Sequence, residues 1–512
     1  MTVLPDALPA LEAPLDPHRP EPLQRQLCQR VRDGVAAGWL PPGLRLPATR
    51  VLAQVLGVSR NTVSLAYEQL LAEGWLQADR RGTVVARLGP WGAGARAATP
   101  IPAGESAVRA VATGAAPPRL ARRLATLPVH PTLPSELTAL RPGIPALGQF
   151  PHVAWRQAMD RAQRTSSALD LNYGDVQGLP ALRAAIAAHL AVSRGVHCTP
   201  AQVVITEGAQ EALSLCVRLL TDPGDTAWME EPGYRGARAA LLAGDLRVLP
   251  RRVDAEGLSW TEDDWREAPP RLIYTSPSHQ YPMGAVLSVA RRLALMQAAQ
   301  AHDAWIIEDD YDSEFRLAGA PIAAMQGLRP DAPVLYVGTF SKTLFPALRL
   351  GFLVLPQRLL PAVMAPLREW LRGGPLQTQR ALAHFIASGQ FSRHLARMRR
   401  LYRSRHQALG AALARHLGDL PHRIEGGRCG LHLCLRLPAG FPDLEAAAAA
   451  AAEGVAPHAL SAFAMAPRPE DRGLVLGYGN TPEEAMDGHV RILAQGVRSC
   501  LLSPRLLTRR KT

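Results

Sequence analysis

Between about Leu88 and Thr132 the chain is dominated by Ala, Pro, Gly and Arg, with no sustained period and few large apolar residues, and periodic sequence flanks it on both sides. A stretch of that composition buries too little apolar surface to fold alone. It reads as a linker over 88–132, and the chain as folded parts at 17–87 and 133–505. The length, 512 residues, already exceeds one ordinary core. With 47% hydrophobic and 20% charged residues the composition is that of a soluble globular protein. No run approaches the roughly 20 apolar residues of a membrane span. The first sixteen residues, Pro- and Leu-rich with Asp6, Glu12 and Asp16, lack the basic-then-apolar order of an export signal. A cytoplasmic protein with a loose leader over 1–16 is expected.

Six scattered cysteines (Cys28, Cys198, Cys216, Cys429, Cys434, Cys500) form no Cys-x-x-Cys pair, so free buried thiols are expected and no metal site. The net charge of +13 suits a nucleic-acid partner, since Lys and Arg neutralise backbone phosphates. Of the 57 basic residues only Lys342 and Lys511 are lysines, and Lys511 lies in the terminal tail. Arginine cannot replace lysine where an amine must deprotonate and attack a carbonyl, which singles out Lys342.

Leu23, Leu27, Val31 and Val35 recur at four-residue spacing and predict a helix that Gly38 stops. After the Pro41-Pro42-Gly43 turn, Pro47 is placed to open a second helix carrying Leu52, Val55 and Leu56 to Gly57. Ser59 then caps a third over Arg60 to Glu73, with Val63, Ala66, Leu70 and Leu71 facing inward. Two helices joined by Leu56-Gly57-Val58 are a helix-turn-helix signature. Residues 75–78 and 83–86 read as short strands around a wing at Asp79-Arg80-Arg81-Gly82. Between Pro17 and Arg87 ten arginines face five acids. The second helix of such a motif enters the major groove N-terminus first, so Ser59, Arg60, Asn61 and Thr62 would meet base edges and phosphates of double-stranded DNA.

Beyond the linker, strand-like and helical runs alternate, as in 203–205, Ala209–Leu220 and 226–229, which predicts an α/β fold with a parallel sheet. The Ala446–Ala452 run reads as a plain helix. The apolar run 334–337 leads into Thr339-Phe340-Ser341-Lys342-Thr343, with Arg349 seven residues on. A lysine leaving a strand among hydroxyls suits an aldehyde cofactor carrying a phosphate: Lys342 supplies the imine, while Thr339, Ser341 and Arg349 hold the phosphate. A second apolar strand, 304–307, delivers Glu308-Asp309-Asp310-Tyr311 at its C-terminal end, where ligands sit in open α/β sheets. Asp309 there can keep a pyridine nitrogen protonated and Tyr311 can meet a phenolic oxygen. Gly208, Ala209 and Gln210 offer backbone amides at a helix start for the same phosphate. Tyr234, after Glu230-Glu231-Pro232-Gly233, can lie across a cofactor ring or be a core tyrosine.

The segment with Pro42-Gly43-x-Arg45-Leu46-Pro47, Leu56-Gly57-Val58-Ser59-Arg60-Asn61-Thr62-Val63 and Glu73-Gly74-Trp75-Leu76 resembles the winged helix of the GntR family over about 65 residues. That resemblance places Arg50, Ser59, Arg60, Asn61, Thr62 and the wing Gly82 at DNA-contacting positions, with a wing shorter than usual. The cofactor-side residues, with Asn172-Tyr173-Gly174-Asp175 and Ser276-Pro277-Ser278-His279-Gln280-Tyr281-Pro282-x-Gly284, resemble fold-type I aminotransferases over roughly 135–500. The Ser-His-Gln-Tyr-Pro and Glu-Asp-Asp-Tyr-Asp-Ser-Glu-Phe runs are more narrowly similar to MocR/GabR-type regulators, which fuse that fold to a GntR winged helix.

The resemblance implies a winged helix followed by a large domain with a mainly parallel sheet and a small C-terminal domain, pyridoxal 5'-phosphate as cofactor, and a homodimer. Lys342 would form the internal aldimine, not necessarily catalytically; Asp309 would pair with the pyridine nitrogen; Arg472 would receive an effector's carboxylate. Where catalytic aminotransferases have Asn-Pro-x-Gly this chain has Tyr281-Pro282-Met283-Gly284, which argues for at most vestigial transaminase activity. The expected function is a DNA-binding transcription regulator sensing an amino compound or pyridoxal phosphate. An active aminotransferase with an accessory DNA-binding domain and a winged-helix repressor on an inert scaffold are the alternatives.

Overall fold

A computed structural model describes residues 10–87, 121–124, 138–317, 319 and 322–502. The chain divides into two compact units, Met1–Pro117 and Pro118–Thr512. Most of the expected linker lies outside the described residues, apart from one helical turn at Arg122–Leu124.

The first unit packs three helices, α1 (Leu23–Ala36), α2 (Thr49–Leu56) and α3 (Arg60–Ala72), against a hairpin of β1 (Leu76–Asp79) and β2 (Gly82–Val85). Leu27, Val31, Leu52, Val63, Ala66 and Leu70 fill its core, the side chains that helical periodicity points inward. Three expectations need correction. Helix α2 starts two residues after Pro47, whose carbonyl instead accepts the Tyr67 hydroxyl at 2.9 Å. Val55 is 47% exposed, because in so short a helix Leu52 and Leu56 already occupy the inward face. The leader is not loose throughout: Leu11 and Leu15 are buried in this core, and Arg30 donates to the carbonyls of Leu11 and Pro14 at 3.2 and 3.1 Å. Apolar side chains without periodicity still bury when the segment that carries them packs against a helix.

The second unit is built on an eight-stranded sheet: β3 (Val203–Thr206), β4 (Thr226–Glu231), β5 (Arg247–Asp254), β6 (Gly257–Leu258), β7 (Leu272–Thr275), β8 (Trp305–Asp310), β9 (Val334–Thr339) and β10 (Gly351–Val354). Their order is β3-β10-β9-β8-β7-β4-β5-β6; β5, β4, β7, β8 and β9 run parallel, while β10 and β6 are antiparallel to their neighbours. Strands β3, β7 and β8 are buried along their whole length, as expected for a sheet covered on both faces. A smaller antiparallel sheet of β11 (Arg423–Gly426), β12 (His432–Arg436), β13 (His458–Ala459) and β14 (Gly473–Gly477), in the order β11-β12-β14-β13, makes the C-terminal subdomain. The helix expected at Ala446–Ala452 spans Asp443–Ala452.

Register places the site. Gly351 on β10 pairs with Thr206 of β3 on one side and Thr339 of β9 on the other, and Asp309 and Asp310 of β8 pair with Val337 and Gly338 of β9. The loops that follow β3, β8 and β9 therefore leave one edge of the sheet together. All six cysteines are free, four of them buried. No helix among the described residues is long and apolar enough to cross a membrane.

Candidate functional site

Three loops from that shared edge bring most of the expected cofactor residues together. Gly208, at φ +88°, caps the helix Ala209–Leu220, a conformation that favours glycine. The amides of Ala209 and Gln210 stand in the first turn, where no intrahelical acceptor reaches them. Arg349 lies beside Gly208 and donates to the Glu207 carbonyl at 2.6 Å. The Thr339 and Ser341 hydroxyls are 3.0 Å apart. Together these groups form a cradle of amides, hydroxyls and one guanidinium suited to a phosphate. The Gln210 side chain does not join it; its amide donates to the Gly236 carbonyl at 2.9 Å.

The three acids ending β8 are differently engaged. Glu308 accepts the amides of Met325 and Gln326 at 2.9 and 3.0 Å. Asp310 accepts Arg194 at 2.6 Å and the Tyr336 hydroxyl at 2.5 Å, and against the effect of burial Arg194 holds its carboxyl below the usual range. Asp309, 4% exposed, accepts only the Tyr274 hydroxyl, at 2.7 Å on Oδ2; Oδ1 has no partner. Burial, abetted by the nearby carboxylates of Asp310, Glu230 and Asp312, pushes Asp309 up to about 7. A buried carboxylate oxygen without a donor is rare, and a protonated pyridine nitrogen would supply both the missing hydrogen bond and the missing positive charge.

Lys342 is half-buried, with Nζ donating to the Gly143 carbonyl at 2.6 Å. Burial lowers its amine below the ordinary lysine value, opposed by Asp312 and Asp309, which favours the neutral nucleophilic form. The Tyr234 ring meets Tyr281 edge-on, 6.0 Å between centroids, and feels the charge of Asp309; burial pushes its hydroxyl up to about 12. A Cβ on Gly236 would fall 2.4 Å from that ring, so the glycine gives Tyr234 its room. These residues fit pyridoxal phosphate at each of its ends.

Tyr311 is placed beside this pocket but its hydroxyl is engaged, 2.9 Å from the His279 carbonyl and 3.0 Å from His279 Nδ1. The same Nδ1 lies 3.0 and 3.1 Å from the Asp312 carboxylate oxygens. Glu230, wholly buried, accepts Thr275 Oγ1, Ser276 N, Ser276 Oγ and Gln280 Nε2 and so shapes the turn presenting His279. The sequence assigns no role to His279, Asp312, Tyr274 or Glu230; all but Tyr274 lie inside motifs described above, and nothing local marks the pairing of the first two. His279, Asp312 and His432 cluster in the interior. The two imidazoles are 4.6 Å apart and 38° from parallel, and one possible ligand atom from each of the three residues lies within 4.8 Å of the others. Asp312 is hydrogen-bonded to His279 Nδ1, whereas His279 Nε2 and His432 Nε2 have no hydrogen-bond partner.

Arg472 does not join this pocket. It pairs at 3.2 Å with the wholly buried Asp443, which also accepts Ser461 N and Oγ. It precedes β14 at the end far from Gly477, five residues or about 16 Å along a strand, whereas His432, opposite Gly477, feels the charge of Lys342. Arg472, expected to receive an effector's carboxylate, is thus placed against Asp443 within the small subdomain.

In the first unit, Ser59 accepts the Thr62 amide at 3.1 Å as N-cap of α3, and the two hydroxyls are 2.8 Å apart. Arg60 and Asn61 project from the first turn exposed, as does Arg50 on α2. The wing is a two-residue turn, Arg80-Arg81, with Gly82 at φ +136°. Asp79 fastens it, accepting Arg81 N at 2.7 Å and pairing with Arg45 at 2.9 Å. That brace was not foreseen.

Residues 23–85 match the family of bacterial regulatory proteins of the gntR type, and residues 140–428 match aminotransferase class I and II. The probable rhizopine catabolism regulatory protein MocR of Rhizobium meliloti is 40% identical over 474 residues, 92% of this chain and 93% of that one. The pyridoxine biosynthesis transcriptional regulator PdxR of Corynebacterium glutamicum is 34% identical over 92% of this chain and 95% of its own. Among solved structures, the α-aminoadipate aminotransferase LysN of Thermus thermophilus, complexed with N-(5'-phosphopyridoxyl)-L-leucine, is similar with a TM-score of 0.65 and 28% identity, covering 71% of this chain and 92% of that one. The chain belongs to the MocR/GabR-type transcriptional regulators, in which a GntR winged helix is joined to an aminotransferase domain of the kind that binds pyridoxal phosphate.

Proposed function

We propose that this regulator holds pyridoxal phosphate on Lys342 and uses it to sense an amino compound, whose binding changes the affinity of the winged helix for operator DNA. The observation that carries the reading is the occurrence together of a depressed Lys342 amine, three residues beyond the end of β9, and the partner-free Oδ1 of Asp309 on the adjacent strand β8. When bound, the cofactor supplies an electrophilic carbon that an amine can attack. Asp309 holds a proton at the pyridine nitrogen, the Gly208–Gln210 amides with Thr339, Ser341 and Arg349 hold the phosphate, and Tyr234 covers the ring.

Sensing is favoured over turnover by Tyr281, which stands where catalytic relatives of the fold carry an asparagine. A homodimer is favoured by an exposed apolar strip, Leu169 and Leu171 each 81% exposed and Tyr173 78%, which isolated chains rarely leave uncovered. Two winged helices would then read two half-sites, with Arg50, Ser59, Arg60, Asn61, Thr62 and Gly82 at the DNA.

The test is fluorescence anisotropy on DNA from upstream of the protein's own gene, with cofactor, with and without an amine panel. The expectation is that at least one amine shifts the wild-type affinity and leaves Lys342→Ala unmoved. Equal responses from both proteins would refute sensing through Lys342; steady consumption of amino acid and keto acid would instead indicate an aminotransferase.

A further inference from the structure

A cleft of about 760 Å³ separates the ends of β4 and β5 from the small subdomain. Glu231, Arg252 and the loop Met283–Val286 line one side, and residues of β11, β12 and the turn before β14 line the other. None of Lys342, Asp309, Tyr234 or Tyr311 lines it. Its inner wall is a backbone contact: a Cβ on Gly284 would fall 2.4 Å from Gly426 Cα and 3.3 Å from His279 Nε2, which places the cofactor-side residues behind that wall.

Most charges in the cleft are matched. Arg252 pairs with Asp471 at 3.0 Å, and Asp254, Glu425 and Glu470 each have an arginine of their own. Among the described residues, Glu231, Arg428 and Arg436 line the cleft without an ion pair. Glu231 is 3% exposed; its Oε1 accepts the amides of Met465 and Ala466 at 2.7 and 3.0 Å, while its buried Oε2 has no donor. Arg252, its register neighbour on β5, has a buried Nη2 with no acceptor. Register neighbours point to the same face of a sheet, so one orphaned acceptor and one orphaned donor meet the same cleft. Arg436 reaches across it, donating to the Glu470 carbonyl at 2.6 Å and to Met283 Sδ at 3.4 Å, which fixes a guanidinium there without an anion. Arg428 stands exposed on the turn between β11 and β12. Buried polar atoms rarely stay unpaired. A ligand N–H facing Oε2, with ligand oxygens facing Nη2 and the two unpaired guanidiniums, would satisfy them together.

We propose that this cleft is a second ligand site, separate from the cofactor, which takes a small zwitterion with one ammonium and two negative charges: an acidic amino acid or an aminoalkyl phosphate. Its ammonium meets Glu231, and its anionic groups lie between Arg252, Arg428 and Arg436. The charges then cancel, one carboxylate and two guanidiniums of the cleft against one ammonium and two anionic charges of the ligand. A ligand so held touches both sides of the cleft and ties the small subdomain to β4 and β5.

The test is isothermal titration calorimetry on the full chain with L-aspartate, L-glutamate and O-phosphoethanolamine, each beside its counterpart without the amine: succinate, glutarate and ethyl phosphate. The first two probes against the third separate a carboxylate ligand from a phosphate one. At least one probe is expected to bind with Kd below about 1 mM and about ten-fold or more tighter than its counterpart, the worth of one charge-assisted hydrogen bond. Lys342→Ala should bind it as wild type does. Arg428→Gln and Arg436→Gln should each weaken it about ten-fold, and Glu231→Gln should bring probe and counterpart within about two-fold. Arg428 is exposed, so its variant carries the test even should the buried Glu231 not tolerate change. Absence of saturable binding by every probe in wild type overturns the site, as does undiminished binding in Arg428→Gln. Loss of binding in Lys342→Ala also overturns it, because the probe would then occupy the cofactor pocket.

Discussion

The Tyr274 hydroxyl donates to Oδ2 of Asp309 across 2.7 Å, leaving Oδ1 as the one oxygen of that buried carboxylate with no donor. The tyrosine thus orients the acid so that its free oxygen is the one a ligand can meet. Asp309→Asn is expected to weaken pyridoxal phosphate retention about ten-fold or more, since an amide cannot stabilise a protonated ring nitrogen, and Tyr274→Phe to weaken it less. Equilibrium dialysis against free cofactor reads both.

The elevated Asp309 carboxyl also gives a pH signature in the cofactor-free protein. Its ordinary value is 3.8 and the folded value about 7, so between these the folded state binds the extra proton and stability falls as pH rises, flattening above 7. Thermal unfolding of wild type minus Asp309→Asn from pH 5 to 8 should show that decline and plateau. A difference independent of pH would contradict it.

Gly430 sits at φ +79°, and a Cβ there would lie 2.1 Å from the Asp312 carboxylate and 2.3 Å from the His279 ring. Gly430→Ala therefore adds backbone strain to a steric clash and should lower stability by about 2 kcal/mol or more, measured by urea unfolding. A loss under about 0.5 kcal/mol would mean that the pair moves aside freely.

On the DNA side, Arg60→Ala and Asn61→Ala should each weaken operator binding by about 1–3 kcal/mol and relax its sequence preference. Arg80→Ala with Arg81→Ala, at the wing tip, should weaken all sequences alike and make the salt dependence shallower. Ser59→Ala removes the α3 cap and should cost about 1 kcal/mol of stability besides any effect on DNA. Anisotropy titrations at several salt concentrations, with urea unfolding of the Ser59 variant, separate these.

How much of this was legible follows from the range of each interaction. Ser59 as cap, the Gly57 turn and the strand carrying Asp309 are local patterns, and they stand where periodicity and turn chemistry put them. Lys342 stood out because an arginine-rich chain has no other internal lysine. The supports were not legible: Tyr274 reaches Asp309 over 35 residues and Gly143 reaches Lys342 over 199, and nothing in either segment names its partner. The partner of Arg472 was hidden for the same reason, since Asp443 lies 29 residues away. Leu11 and Leu15 show the reverse case, where lack of period concealed burial in the core.

The sensing mechanism stands or falls on Lys342 carrying the cofactor, and an absorbance spectrum of the purified protein with pyridoxal phosphate, wild type against Lys342→Ala, decides the matter. A violet band is expected in the wild type and should disappear in the variant. Identical spectra, with no lysine-dependent band, would contradict the mechanism and leave a winged-helix repressor on a silent scaffold.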